Sequence, residues 1–170
     1  ANGSNPAIIV FKKSCIITID GERVETGMYP VAIWDSPTRM DIHFDEEVLK
    51  ACMWYGCTAA YEIDKRTDFV RYFRSKNCAD FLEWTPKVMM NPVKKKLPEP
   101  GQRSGDPFQL IQMLQIAKWY VDGDSMVEYN GHVQRIKYVP LLKQLLKYDH
   151  SDRTESDLVV ALQMALCAVY

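Results

Sequence analysis

The chain has 170 residues, with 21 Lys and Arg against 22 Asp and Glu, so its formal net charge is −1. Hydrophobic residues make up 47% and charged residues 25%, which excludes a collagen-like, low-complexity or disordered chain and argues against a polybasic binder. The five cysteines form no CxxC pair, so neither a zinc finger nor a disulfide framework is expected. No apolar run reaches the length of a membrane span, and we expect one domain over residues 1–170.

Three β-prone runs open the chain, at residues 7–11, 15–19 and 29–34. The dipeptide Asp20-Gly21 follows the second run and is typical of a tight turn. Together these runs predict an antiparallel meander of about three strands.

The pattern then changes to helices and short strands. Asp45 is expected to cap a helix that Gly56 ends, because the apolar residues between them recur at helical spacing. Residues 57–63 predict a short strand, and Thr67 is expected to cap the next helix. This alternation of strands and helices implies a partly parallel sheet covered by helices.

A long connection over residues 85–106 is rich in Pro and Gly, and a stretch of this length without regular structure is usually functional or mobile. After it, Asp106 and Pro107 are expected to cap and open a helix through about Val121. The remaining predicted elements are a short strand at residues 126–129, a helix at 141–148, and a last helix that Thr154 opens and that runs nearly to Tyr170.

Acidic residues are the main candidates for chemistry, because the sequence lacks the motifs of phosphate loops, dinucleotide-binding folds and serine hydrolases. Glu62 lies near the C-terminal end of the 57–63 strand, among small and apolar residues. A carboxylate on a covered strand is costly unless it is paired, and a divalent cation is one such partner. The alternative is a carboxylate that is solvated or paired with Lys65 or Arg66.

Asp157 is the second candidate. The residues three, four, seven and eight positions after it are all apolar, so it lies at the head of the stripe that faces the core, where an Asp is unusual. The spacing from Thr154 also fits a capping box, and one carboxylate can serve both as cap and as ligand. Asp64, two residues after Glu62, is a secondary candidate because it shares the same strand face if the strand extends that far.

Basic side chains concentrate in the long connection. Lys94, Lys95 and Lys96 lie inside it, and Arg103 lies near its end. In a chain without net positive charge, such a local patch could contact DNA phosphates. The alternative is a loop whose lysines are only solvated.

An ordered series of segments resembles the C-terminal nuclease domain of the large terminase subunit of tailed bacteriophages. The segment AIIVFKK (7–13) is similar to the strand that follows the family's first catalytic strand. The segment WYGCTAAYEID (54–64) resembles the central element in which a strand ends in Glu, and TESDLVVAL (154–162) resembles the last acidic motif. The segment leading to the family's first helix is matched by residues 31–34, 37–39 and 44–50.

The resemblance covers essentially the whole chain and implies an RNase H-like α/β fold, in which a mixed central sheet is flanked by helices. That sheet combines an antiparallel meander with parallel strands. The resemblance also implies that Glu62 and Asp157 are two of three acidic metal ligands. In the family the third acid lies on a strand before residue 7, so the first strand is expected to be missing here. Asp64 stands where the family often has Asn.

The implied activity is that of a metal-dependent endonuclease that cuts concatemeric double-stranded viral DNA during packaging. The implied cofactors are two divalent cations, Mg²⁺ or Mn²⁺. The implied partners are DNA, an ATPase motor domain, the portal and the small terminase subunit, and the implied location is the cytoplasm of the infected bacterial host.

Two other interpretations remain open at the level of sequence. One is a different RNase H-like nuclease, such as a junction resolvase or a transposase core. The other is a non-enzymatic α/β interaction module whose acids are only caps and turn residues.

Overall fold

A computed structural model describes residues 6–35, 41–63, 67–93, 98–124, 129–151 and 156–170. Within these ranges the chain is a mixed α/β structure with five α-helices and three small antiparallel sheets. The strands are β1 (Ala7–Lys12), β2 (Cys15–Ile19), β3 (Glu22–Thr26), β4 (Tyr29–Asp35), β5 (Gly123–Asp124) and β6 (Tyr129–Asn130). The helices are α1 (Asp41–Tyr55), α2 (Thr67–Ser75), α3 (Pro107–Asp122), α4 (Val139–Lys147) and α5 (Asp157–Val169).

The N-terminal strands form two antiparallel pairs, β1 with β4 and β2 with β3. The antiparallel pairing is as predicted, but the meander is wrong, because the first predicted run pairs with the third and the second pairs with β3. Asp20 and Gly21 connect β2 to β3 with φ of 52° and 87°, the left-handed geometry of a two-residue hairpin turn. The predicted tight turn is therefore confirmed. Strand β3 was not predicted, because its sequence ERVET is mostly charged or polar and is exposed on both faces.

Helix α5 forms the centre of the largest hydrophobic cluster. Its Leu158 and Leu162 are fully buried among side chains from α3, α4 and β1. In β1, Ile9 and Phe11 pack against this cluster, whereas Ile8 packs against a second cluster built by α1, α2 and residues 57–63. The period-two alternation of a strand thus places β1 between two hydrophobic clusters.

The second cluster contains a row of three aromatic rings, each tilted against the next. Tyr61 and Phe69 have ring centroids 4.8 Å apart, and so do Phe69 and Phe73. Phe69 and Phe73 come from one face of α2, since they are four residues apart. The row therefore holds α2 against the segment that carries Glu62.

The prediction of parallel strands is not confirmed among the described residues. Residues 57–63 are extended but make only isolated parallel bridges, Ala59 with Leu82 and Glu62 with Gln102. Continued pairing is opposed by Pro100, which lacks an N–H, and by Gly101, whose φ of 89° lies outside the β region.

Helix boundaries follow the predicted caps in part. Asp106 caps α3, since its carboxylate accepts from the N–H groups of Phe108 (2.9 Å) and Gln109 (3.3 Å). Gly56 ends α1 in the left-handed conformation with φ of 61°. Asp45, by contrast, is not the cap of α1, because this helix already begins at Asp41.

The C-terminal predictions are also partly confirmed. Helix α4 begins two residues earlier than predicted, at Val139, and α5 follows as expected. Thr154, the predicted cap of α5, and most of the 126–129 segment lie outside the described residues. No helix in the described ranges is long and apolar enough to cross a bilayer.

Candidate functional site

Glu62 lies in the extended 57–63 segment, where the residues before and after it are both hydrogen-bonded to the backbone of Gln102. The Ile63 N–H donates to the Gln102 carbonyl (2.9 Å), and the Gln102 N–H donates to the Tyr61 carbonyl (2.8 Å). The Glu62 side chain between them is partly buried. The predicted strand-end carboxylate therefore has a fixed backbone position, although the ladder around it is shorter than expected.

The Glu62 carboxylate accepts a hydrogen bond from Ser104. Ser104 is buried, and its Oγ donates to Glu62 Oε1. A hydrogen bond from a buried hydroxyl restricts the orientation of the carboxylate, as outer residues commonly do for acids in metal sites.

Gln102 joins the short ladder, meaning the parallel bridge between Glu62 and Gln102, to helix α5. Its side chain is only 1% exposed, and its Nε2 donates to the backbone carbonyl of Met164 in α5 (3.1 Å). Its Oε1 is buried and has no hydrogen-bond partner among the residues that the structure describes. The Gln102 side chain thus links the segment of Glu62 with the helix that Asp157 opens.

Tyr61 packs directly against Gly101, on the segment that pairs with Glu62. Its ring lies so close to Gly101 that a Cβ there would come within 2.9 Å of Cε2, so only glycine fits. The Tyr61 hydroxyl is also buried without a partner in the described ranges, and burial raises the pKa of Tyr61 to about 12. Close packing of Tyr61 on Gly101 sets the distance between the two segments at Glu62.

Asp157 is the first residue of α5 and is partly buried. The next backbone N–H, that of Leu158, is satisfied by the side-chain oxygen of Gln144 in α4 (3.0 Å). Ser156 precedes the helix without a side-chain capping bond. The start of α5 is therefore held by α4 from outside the helix, in addition to any capping by its own residues.

Asp157, Val160 and Met164 recur at spacings of three and four, so they share one side of α5. Met164 belongs to a third hydrophobic cluster, which includes Met113 of α3, and Val160 packs against that cluster. Gln102 contacts the backbone of the same helix at Met164. Because a helix rises about 1.5 Å per residue, Asp157 lies roughly 10 Å along the axis from this contact.

Of the remaining predicted site residues, the structure describes only Arg103. Asp64, Lys94, Lys95 and Lys96 lie outside the described residues. Arg103 forms a two-bond ion pair with Glu99, with Nε–Oε1 at 2.6 Å and Nη2–Oε2 at 2.9 Å. A phosphate would therefore have to compete with a carboxylate for this guanidinium.

No group of three or more His, Cys, Asp or Glu side chains in the described ranges has the arrangement of a metal site. Oxygen-bearing side chains near the Glu62 carboxylate include Ser104, whose hydroxyl donates to it, and Gln102, which is the bridge partner of Glu62 and carries an amide oxygen. Oxygen donors are those that Mg²⁺ and Mn²⁺ prefer, so these residues fit a hard divalent cation.

Sequence reasoning missed Gln102 and Ser104. Both lie at the end of the Pro- and Gly-rich connection, which the sequence presents as irregular. Their sequence pattern is only weakly informative: Gln102 and Ser104 are polar residues two positions apart, and Gln102 follows a glycine. Only the pairing of this segment with Glu62 gives that spacing a meaning.

Comparison of the chain with family models, with curated proteins and with solved structures found no match in any of the three. The candidate site is therefore defined by the chain's own residues: Glu62 with Ser104 and Gln102 on the ladder, and Asp157 at the start of α5.

Proposed function

We propose that this chain is the RNase H-like nuclease domain of a viral large terminase subunit, and that it hydrolyses phosphodiester bonds of concatemeric double-stranded DNA during packaging. One observation carries the proposal: Gln102 pairs with Glu62 and its side chain donates to α5, the helix that begins at Asp157. The segment that carries Glu62 and the helix that begins at Asp157 are thus linked through one residue, Gln102. The order of the motifs along the chain supports the same assignment.

Glu62 and Asp157 would hold divalent cations, with Asp64 as a further acid. When bound, a pair of Mg²⁺ or Mn²⁺ ions supplies an activated water and stabilises the leaving oxygen. The chain's own contribution is positional: Ser104 orients the Glu62 carboxylate, and Gln144 holds the first turn of α5.

DNA would be held mainly through its phosphates. Lys94, Lys95 and Lys96 are the proposed contacts, and Arg103 joins them if DNA displaces Glu99. Binding of this kind has little sequence preference and weakens steeply with salt. The proposed partners are the ATPase motor domain, the portal and the small terminase subunit, in the cytoplasm of the infected bacterial host.

Plasmid nicking in the presence of Mn²⁺ tests the proposal. Glu62→Ala and Asp157→Ala should each lower the nicking rate by more than the ~10–100-fold loss typical of changes outside the ligand shell. Asp68→Ala, which removes an exposed acid of α2 paired with Arg71, should retain the wild-type rate. Equal activity of all three variants would exclude the proposed site.

The choice between RNase H-like nucleases depends on the substrate. Preferential cutting of four-way junctions over linear duplex would favour a resolvase. Cutting of linear concatemers without that preference supports the terminase.

A non-enzymatic interaction module is the second candidate, and exposed apolar side chains favour it. Trp54 is 85% exposed at the end of α1, next to exposed Met53 and Tyr55. Large exposed apolar patches commonly mark binding surfaces. If wild-type protein neither binds Mn²⁺ nor nicks DNA, while Trp54→Ala abolishes capture of a partner, this second function replaces the first.

A further inference from the structure

The amide oxygen of Gln102 is the least explained polar atom near the candidate site. It is buried on a side chain that is 1% exposed, and it has no hydrogen-bond partner in the described part of the chain. Buried polar atoms in native proteins nearly always have a partner, and the exceptions commonly indicate a bound water or ion.

The hydrogen bond made by the amide nitrogen fixes the orientation of this amide. Gln102 Nε2 donates to the Met164 carbonyl at 3.1 Å. A flipped amide would place two carbonyl oxygens against each other, which is unfavourable. The orphaned oxygen therefore cannot be satisfied by rotating the group.

Glu62 and Gln102 are direct partners in a parallel bridge. Side chains of directly opposed residues lie on the same side of a pair of strands. The hydrogen bond from Ser104 to Glu62 places the Ser104 hydroxyl on that side as well. A carboxylate, an amide oxygen and a hydroxyl thus share one face.

We propose that Gln102 Oε1 is an oxygen ligand of the divalent cation held at Glu62, and that Ser104 is a positioning residue for the Glu62 carboxylate. The proposal rests on the proposed function, in which Glu62 binds a cation. Amide carbonyl oxygens are ordinary ligands of hard cations, and a neutral ligand adds no charge repulsion beside a carboxylate. Neither Gln102 nor Ser104 is an acid, so both lie outside the set of acidic residues that the sequence motifs indicate.

Titration of the full chain with Mn²⁺, followed by the electron paramagnetic resonance signal of free Mn²⁺, tests the proposal. Gln102→Met keeps the length of the side chain but removes the oxygen, and should weaken Mn²⁺ binding by at least ~10-fold. Gln102→Glu loses the same donor to Met164 but keeps side-chain oxygens, so it should bind Mn²⁺ at least ~10-fold more tightly than Gln102→Met. Gln163→Met, at a fully buried glutamine of α5 that contacts Tyr148, should bind Mn²⁺ like wild type.

Two failures are distinguishable. If Glu62→Gln weakens Mn²⁺ binding while Gln102→Met binds like wild type, or Gln163→Met weakens it as much as Gln102→Met, the ligand role of Gln102 is wrong and the proposed function stands. If wild type binds no Mn²⁺, or Glu62→Gln binds it unchanged, both are wrong. Equal Mn²⁺ binding by Gln102→Met and Gln102→Glu also contradicts the ligand role, and Gln102→Leu replaces Gln102→Met if the latter fails to fold.

Discussion

Two thiols at the end of α1 show how one local motif sets the chemistry of a single residue. Gly56 adopts the left-handed conformation, and the Cys57 N–H then donates to the Cys52 carbonyl (3.1 Å), the six-to-one bond that closes many helices. The motif brings the two side chains together, and a hydrogen bond from the Cys52 thiol lowers the pKa of Cys57 to about 7. The same bond and burial raise the pKa of Cys52.

Alkylation by iodoacetamide measures this effect, since only the thiolate reacts. The rate at Cys57 should reach half its maximum near pH 7, and Cys52→Ala should move that midpoint toward 9, the value of an ordinary thiol. Because the folded state releases this proton more readily than the unfolded state, Cys57 adds stability as the pH rises from about 7 to about 9, and this contribution is lost as the pH falls through about 7.

Cys167 serves as the internal control for that experiment. It is fully buried, and burial raises the pKa of its thiol to about 12, so it should stay unmodified while the protein is folded. A wild-type midpoint near pH 9 at Cys57 would contradict the proposed hydrogen bond.

At the scale of elements, α3 and α5 begin in different ways. The side chain of Asp106 accepts from two backbone N–H groups at the start of α3, and Pro107 occupies its first turn. At the start of α5 the side chain of Gln144, from a neighbouring helix, accepts from the Leu158 N–H, and Ser156 makes no side-chain capping bond. Local sequence therefore defines the start of α3, whereas packing of α4 contributes to the start of α5.

Alanine substitutions of Asp106 and of Ser156 distinguish these two kinds of helix start. Asp106→Ala should lower the free energy of unfolding by about 1 kcal/mol, the usual loss for a capping side chain. Ser156→Ala should change it less, because no capping bond is lost. Urea denaturation of both variants provides the comparison, and equal losses would refute the difference.

At the scale of the whole molecule, β1 separates two hydrophobic clusters and α5 completes the larger one. Ile8 and Ile9 face opposite sides of β1, and Leu162 lies fully buried in the cluster on the Ile9 side. The ladder at Glu62 belongs to the Ile8 side, through Tyr61. The candidate site therefore lies where elements of both clusters meet, and its geometry depends on both.

Leu162→Ala should lower the free energy of unfolding by roughly 2–5 kcal/mol, the range for truncating a fully buried leucine. Leu146→Ala is the matched control, since Leu146 is 88% exposed on α4 and its loss should cost less than about 0.5 kcal/mol. Thermal denaturation of both variants measures the difference. Similar losses would contradict the placement of α5 in the core.

Much of the local structure follows from the sequence because its causes are local. The Asp20-Gly21 turn, the Asp106 cap with Pro107 and the end of α1 at Gly56 each depend on backbone preferences of one or two residues. The strand β3 could not be predicted in this way, since its exposed charged residues carry no pattern of burial.

The sequence by itself determined the α/β character, the approximate positions of the helices and of β1, β2 and β4, and the choice of Glu62 and Asp157 as the acids of interest. Only the tertiary structure decided that the Glu62 segment pairs by isolated bridges, that Ser104 donates to Glu62, and that Gln102 contacts α5 at Met164. These contacts join residues about 40 to 60 positions apart, and they depend on how whole elements pack rather than on the preferences of neighbouring residues.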